Sequence, residues 1–219
     1  TALEIESTTA LGTALLIDQD VNRNALEIDT EATSYAGIQL TAPTMTIGNV
    51  FHVYSCNSLT AGRIMYLQSD SSDTSSRKLV DIVNDNTAAT GATAVHIQQD
   101  STGSALTAIG AAGSGSASGA VMKLQTSETT VVDGDYLGRI EFSAPSEASG
   151  TDAILAGAAI WAEADDTFAA DNNSTELVFG TNTSAAYTER MRIDSSGRVG
   201  IGSSNPSDYN SFADDLVVA

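Results

Sequence analysis

The first half of the chain has few large apolar residues, and those few recur in a short repeated pattern. An alanine followed by alternating apolar and polar residues occupies residues 2–6, 14–18 and 25–29, with looser copies at 36–40, 78–82, 94–98, 105–109 and 120–124. Alternation with a period of two predicts a β-strand with one buried face, and the Ser-, Thr- and Asn-rich stretches between copies predict turns. The positions predicted to be buried are Leu3, Ile5, Leu15, Ile17, Leu26, Ile28, Val95 and Ile97.

Each repeat offers about two large apolar residues, which is too few to close a core within one chain. Stacked repeats from neighbouring chains can share a core, as they do in solenoid proteins. We therefore predict a homotrimer in which three parallel chains bury the repeat positions near a common axis. A single-chain β-solenoid is the alternative, but it needs even rungs, whereas the repeat spacing drifts from 11 to 16 residues.

From about residue 129 the predicted strands lengthen and larger side chains enter. We interpret residues 1–128 as a β-repeat shaft, residues 129–195 as a compact β module, and residues 196–219 as a turn and strand linker into a further module. The predicted module core comprises Ile140, Phe142, Trp161, Leu177, Phe179, Met191 and Ile193. The predicted fold class is therefore all-β: an elongated, intertwined trimeric shaft followed by a compact β module.

Composition and charge restrict the partners. The chain has 28 acidic and nine basic residues, a net charge of −19, which offers no electrostatic footprint for nucleic acid and is repelled by an anionic membrane surface. Leu, Ile, Val and Phe make up roughly a fifth of the chain, close to the level of disordered proteins, so the regular pattern is what favours a fold. Cys56 is the only cysteine, which excludes an intrachain disulfide, and no apolar run predicts membrane insertion.

One block of sequence carries a resemblance to a known class of proteins. Residues 189–202, which read Glu-Arg-Met-Arg-Ile-Asp-Ser-Ser-Gly-Arg-Val-Gly-Ile-Gly, and the following Asn205-Pro206-Ser207 closely resemble a block common in phage tail-fibre and tail-spike proteins. Residues 134–142 look like the strand that opens the same module, and the repeats resemble the shaft repeats upstream of it. In that family the module often precedes an intramolecular chaperone domain of the endosialidase type.

The resemblance implies a structural role rather than an enzymatic one. It implies a homotrimeric fibre on a virion, a shaft or spacer in host attachment. Its partners would be further copies of itself, other virion proteins and a host glycan or protein receptor. Two alternatives stay open: a receptor-binding tip that touches host glycans directly, and the stalk of a bacterial trimeric adhesin. The second alternative usually has heptad coiled-coil segments, which this chain lacks.

The candidate catalytic residues do not stand out from a polar background. His52 and His96 are the only histidines, and both sit in alternating patterns typical of ordinary strand residues. A glycan-cleaving enzyme needs two flanking carboxylates. The acidic pairs that could supply them, all more simply explained as solvated loops, are Asp133 with Asp135, Asp165 with Asp166, and Asp214 with Asp215. We expect no catalytic residues.

We expect no cofactor, although calcium at an acidic loop remains an alternative. Asp18, Asp20, Asn22 and Asp29 match several positions of a calcium loop, but Arg23 stands where that loop requires glycine.

Three arginines and the single tryptophan complete the candidates. Arg63, Arg139 and Arg198 each follow a glycine at the predicted start of a strand, and pairing with carboxylates explains them better than an acidic ligand does. Trp161 in its Ala-rich strand favours a core position over a sugar-binding surface.

Overall fold

The computed structural model describes residues 15–18, 20, 24–30, 36–54, 56–208 and 216–218. The chain divides into two compact units, residues 1–95 and residues 96–219. The described residues contain strands and two short 3₁₀ turns, Ser116–Ser118 and Pro206–Asp208, and no α-helix. The predicted all-β class is therefore confirmed for this part of the chain, and none of it forms a helix able to span a membrane.

Before Tyr136 the described backbone is extended and turned, with no strand pairing of its own. Its backbone hydrogen bonds within 36–128 are local turns, such as the Met45 N–H to the Ala42 carbonyl and the Leu59 N–H to the Cys56 carbonyl. Asx turns add to these, since Asn86 Oδ1 accepts from the Ala88 N–H at 3.0 Å. The turn chemistry that the sequence predicts between repeats is thus present, whereas intrachain β-ladders are not found among these described residues.

A single β-sheet follows. Its strands are β1 (Tyr136–Ser143), β2 (Ala156–Ala164), β3 (Thr175–Thr181), β4 (Thr188–Ile193), β5 (Val199–Ile201) and β6 (Leu216–Val218). Strands β1 to β5 form an antiparallel meander in chain order, and β6 pairs with β5 in parallel. Irregular register occurs at Tyr136/Gly138 and Phe142/Ser143 in β1 and at Phe179/Gly180 in β3.

The β4–β5 connection, residues 194–198, is a tight turn. Asp194 Oδ1 accepts hydrogen bonds from the backbone N–H groups of Ser196 and Arg198, and its Oδ2 accepts from Arg198 Nε at 2.7 Å. Gly197 adopts φ +83°, a left-handed conformation that favours glycine. The sequence from Asp194 to Arg198 therefore encodes a tight turn, and it requires no ligand to account for its residues.

The register gives the sheet two chemically distinct faces. One face, called here the apolar face, carries Ile140, Ile160, Phe179, Met191 and Ile201 in a single row across β1 to β5. Its neighbouring rows consist of Gly138, Phe142, Ala158, Ala162, Leu177, Thr181, Thr188, Ile193 and Val199. The opposite, charged face carries Arg139, Glu141, Glu163, Glu176, Glu189 and Arg192, interleaved with Trp161 and Val178.

The buried apolar cluster lies on the charged face. It consists of Ala159, Trp161 and Val178, with Tyr187 packed against it. Gly180 permits this packing, because a Cβ at that position would lie 2.9 Å from the Trp161 ring. Among the residues predicted for the module core, Trp161 belongs to this cluster. The other six lie on the apolar face: Ile140, Phe142, Leu177, Phe179, Met191 and Ile193.

Candidate assembly surface

The apolar positions of the repeats are open to solvent in the single chain. The described members of the predicted trimer core are between 47% and 64% exposed: Leu15, Ile17, Leu26, Ile28, Val95 and Ile97. Leu3 and Ile5 lie outside the described residues. Exposed large apolar side chains that recur over many residues are typical of interaction surfaces.

The apolar face of the sheet is also open. Ile140, Phe142, Leu177 and Ile201 are 40% to 55% exposed, and Ile160, Phe179, Met191, Ile193 and Val199 are half-buried. Met122 and Leu124 border the face at one end and line an open pocket of about 240 Å³ with Ile140, Ile160 and Leu177. A Cβ at Gly138 would lie 2.7 Å from Leu124 Cβ, so glycine allows this close approach.

The charged face is sealed by its own side chains around Arg192. The Arg192 guanidinium contacts Glu176, donates to both carboxylate oxygens of Glu189 at 2.7 Å, and reaches Glu163 at 3.2 Å. Side-chain exposure is 12% for Arg192 and 8% for Glu176. Hydrogen bonds from Arg192 to Glu189 and Glu176 hold the pKa of the arginine above its ordinary value, so it stays charged.

Glu176 is the most buried carboxylate of this cluster. Burial raises its pKa, and the hydrogen bond and charge of Arg192 act in the opposite direction without cancelling that effect. The negative charges of Asp165 and Glu163 add to the rise. The stability of the charged face therefore depends on Arg192.

Aromatic rings complete the same face. The Trp161 ring lies 6.0 Å from Tyr136 and 5.7 Å from Tyr187, both tilted, and its Nε1–H donates to Glu163 at 2.7 Å. The Tyr187 hydroxyl donates to Glu141 at 3.0 Å, and burial raises the pKa of this tyrosine. Trp161 is only 6% exposed, so its ring is a core element and presents no flat surface to a sugar.

The candidate acidic pairs act in loop structure. Asp135 accepts from the Val132 N–H at 2.7 Å, and Asp166 accepts from the Thr167 N–H and from Asn172. Asp165 accepts from the Ser195 hydroxyl. Within the described part of the chain Asp133 is exposed and makes no such contact, whereas Asp214 and Asp215 lie outside it.

The acidic residues weighed for calcium are only partly described. Asp18, Asp20 and Asp29 are exposed, and Asn22 lies outside the described residues. Among the residues that the structure describes, no three acidic, histidine or cysteine side chains come together as metal ligands.

The two histidines and the three arginines occupy ordinary surface positions. His52 stacks on Tyr54 at 4.7 Å, and His96 is exposed. Arg139 pairs with Glu141 at 3.0 Å and Arg198 with Asp194 at 2.7 Å. The Arg63 guanidinium lies over the Tyr66 ring at 4.4 Å.

Sequence reasoning did not find the Arg192 cluster. The three glutamates of this cluster lie on three different strands, β2, β3 and β4. The strand register, which sets Glu163 opposite Glu176, is what places them around Arg192. Glu189 and Arg192 lie three residues apart on β4, a spacing that puts side chains on opposite faces of a regular strand. Only the irregular register between β3 and β4 brings the two onto one face, so their spacing gives no local signal.

Comparison with other proteins gives no assignment. No protein-family model matches the chain, and no curated protein matches it significantly.

Proposed function

We propose that this chain is a structural segment of a virion fibre of the phage tail-fibre kind, which acts as a homotrimeric shaft or spacer in host attachment. The observation that carries the proposal is the exposure of the repeat apolar positions in the single chain. Residues such as Ile17, Ile28 and Ile97 recur at alternating positions and remain about half exposed. Three intertwined chains would bury them along a common axis.

The energetics favour shared burial. Full burial of a Leu or Ile side chain is worth about 1.5–3 kcal/mol, so completing the burial of a half-exposed one is worth about 1 kcal/mol. Repeated over many turns of a shaft, such increments offset the entropy of ordering an extended chain. The backbone groups of the repeats would gain partners in neighbouring chains, as buried backbone groups require.

The remaining features suit a spacer in an extracellular fibre. A net charge of −19 keeps the outer surface hydrated and soluble. The block at residues 189–202 supports the same class of protein by its resemblance to tail-fibre modules, and the Asp194 side chain within it accepts hydrogen bonds that close its turn.

Sedimentation velocity tests the oligomeric part of the proposal. We expect a species of three times the 22.5 kDa chain mass with the high frictional ratio of an elongated particle. Replacing Ile17 with Ala should lower the melting temperature more at low than at high protein concentration, because association stabilises by mass action. Asp18→Ala is the matched control in the same repeat. A folded monomer at every concentration contradicts the proposal.

Immunogold electron microscopy tests the location. Antibodies raised against the chain should decorate fibres on virus particles from the source that encodes it. Labelling confined to bacterial cell surfaces would instead favour the adhesin stalk.

A further inference from the structure

The two faces of the sheet have an inverted pattern of burial. On the charged face Val178 is fully buried, Trp161 is 6% exposed and the Arg192 side chain is 12% exposed. On the apolar face Phe142 is 55% and Ile140 is 44% exposed. A sheet normally buries its apolar side and leaves its charges in water. The single chain therefore leaves open the face that has most to gain from being covered.

We propose that the apolar face packs against the same face of further copies of this chain. This inference rests on the proposed fibre function and assigns the surface through which the sheets of the copies meet. Its central row consists of Ile140, Ile160, Phe179, Met191 and Ile201, one residue from each strand from β1 to β5.

Charge selects a second copy as the occupant. Each chain carries −19, so copies can approach closely only where carboxylates are absent. None of the paired positions of β1 to β5 on the apolar face is charged, whereas Glu141, Glu163, Glu176 and Glu189 all lie on the other face. Packing like face to like face keeps every one of these glutamates away from the contact.

The dimensions of the face fit a threefold arrangement. Five strands about 4.8 Å apart make a face roughly 20 Å wide. Three such faces enclose a triangle whose centre lies about 6 Å from each sheet, close to half of the roughly 10 Å that separates packed sheets. The large side chains of the central row would fill this space.

The area of the face indicates that it acts together with the repeats. Along β1 the apolar positions span about 13 Å, which gives a flat footprint of roughly 260 Å². A standard stable interface buries about 800 Å² on each partner. Met122 and Leu124, which belong to the last repeat, border the face and are themselves exposed, so the apolar surface continues from the sheet into this last repeat.

The test uses the full chain, sedimentation velocity over a concentration series, and two substitutions in one strand. Ile140→Asp places a carboxylate on the apolar face. Arg139→Ala makes the same change of net charge on the charged face, at a residue whose side chain is 42% exposed. We expect Ile140→Asp to raise the concentration for half-association at least tenfold, about 1.4 kcal/mol, and Arg139→Ala to change it less than about twofold.

Trp161, the only tryptophan, reports folding from the opposite face. If Ile140→Asp loses the native fluorescence of Trp161, the neutral and β-branched Ile140→Thr takes its place, again with weakened association expected. If the wild-type chain self-associates and a folded Ile140 variant self-associates as tightly, the assigned surface is wrong. The proposed fibre function is not affected by that result.

A wild-type chain that stays monomeric refutes both proposals. Binding of an apolar dye by that monomer would assign the face to a different partner, and no dye binding would assign it to a segment of the same chain. A wild-type dimer weakened by Ile140→Asp supports the assigned surface and contradicts the trimeric fibre.

Discussion

Replacing Arg192 with Ala should destabilise the sheet by about 3–5 kcal/mol at pH 7, because it leaves the buried Glu176 carboxylate, and two half-buried carboxylates beside it, without the arginine that pairs with them. Arg192 contacts Glu163, Glu176 and Glu189, and the Glu176 side chain is 8% exposed. A typical domain is stable by only about 5–15 kcal/mol, so the variant would lose a large fraction of its stability. The exposed pair of Arg139 with Glu141 provides the control: Arg139→Ala should cost less than about 1 kcal/mol.

The effect should depend on pH in a defined direction. Burial already raises the pKa of Glu176, and loss of Arg192 would raise it further. A carboxyl group whose folded-state pKa is raised favours the folded state fully below its unfolded pKa, about 4.5, and loses that contribution as the pH rises through the folded value. The gap between Arg192→Ala and wild type should therefore be largest at neutral pH and shrink towards pH 4.5.

Urea denaturation followed by Trp161 fluorescence measures both quantities, since the Trp161 indole donates to Glu163 of the same cluster. A loss below about 1 kcal/mol at pH 7 would show that the carboxylates relax into solvent. A loss that is the same at pH 7 and pH 4.5 would show that charge is not its cause.

Two further substitutions test the packing and the turn. Gly180→Ala should destabilise the sheet by about 1–3 kcal/mol, because the added Cβ would lie 2.9 Å from the Trp161 ring. Gly157→Ala is the control and should be tolerated, because its Cβ would lie 3.7 Å from the nearest atom. Equal melting temperatures for the two variants would contradict this packing. Asp194→Asn should cost about 1–2 kcal/mol at pH 7, because it weakens the bond with Arg198. Burial raises the pKa of Asp194, but the hydrogen bonds from Arg198 together outweigh it, so the pKa is lowered. The stability that Asp194 contributes is therefore present above about pH 4 and should vanish as the pH falls through the folded-state pKa. A stability difference between variant and wild type that persists at pH 2 would contradict this assignment.

The sequence predicts the strands of the sheet better than it predicts their faces. Alternation around Ile140 and Phe142 in β1, and around Leu177 and Phe179 in β3, identifies strands because the period of two is local. In β2 the residues around Ile160 and Trp161 are mostly alanine, so the sequence does not show which of the two shares a face with Ile140. The structure pairs Ile140 with Ile160. The predicted module core therefore joins side chains that the structure places on opposite faces.

The candidate site shows the same limit. The exposed repeat positions can be identified from the sequence, because each carries its own alternation. The Arg192 cluster cannot, because it depends on how three glutamates separated by many residues align across strands. The bulge opposite Phe179 and Gly180 shifts the inward and outward alternation of side chains in β4 relative to β3. No local sequence pattern predicts this shift.

The meander order of the sheet has a consequence for how the protein is made. Strands β1 to β4 each pair with the next strand along the chain, through connections no longer than the twelve residues between Ser143 and Ala156. Contacts this local close quickly, because little chain entropy is lost before they form. The sheet can therefore fold within a single newly synthesised chain, at a rate independent of concentration. In the proposed fibre, only the later association of chains would depend on their concentration, so translation of several copies from one messenger would speed that step.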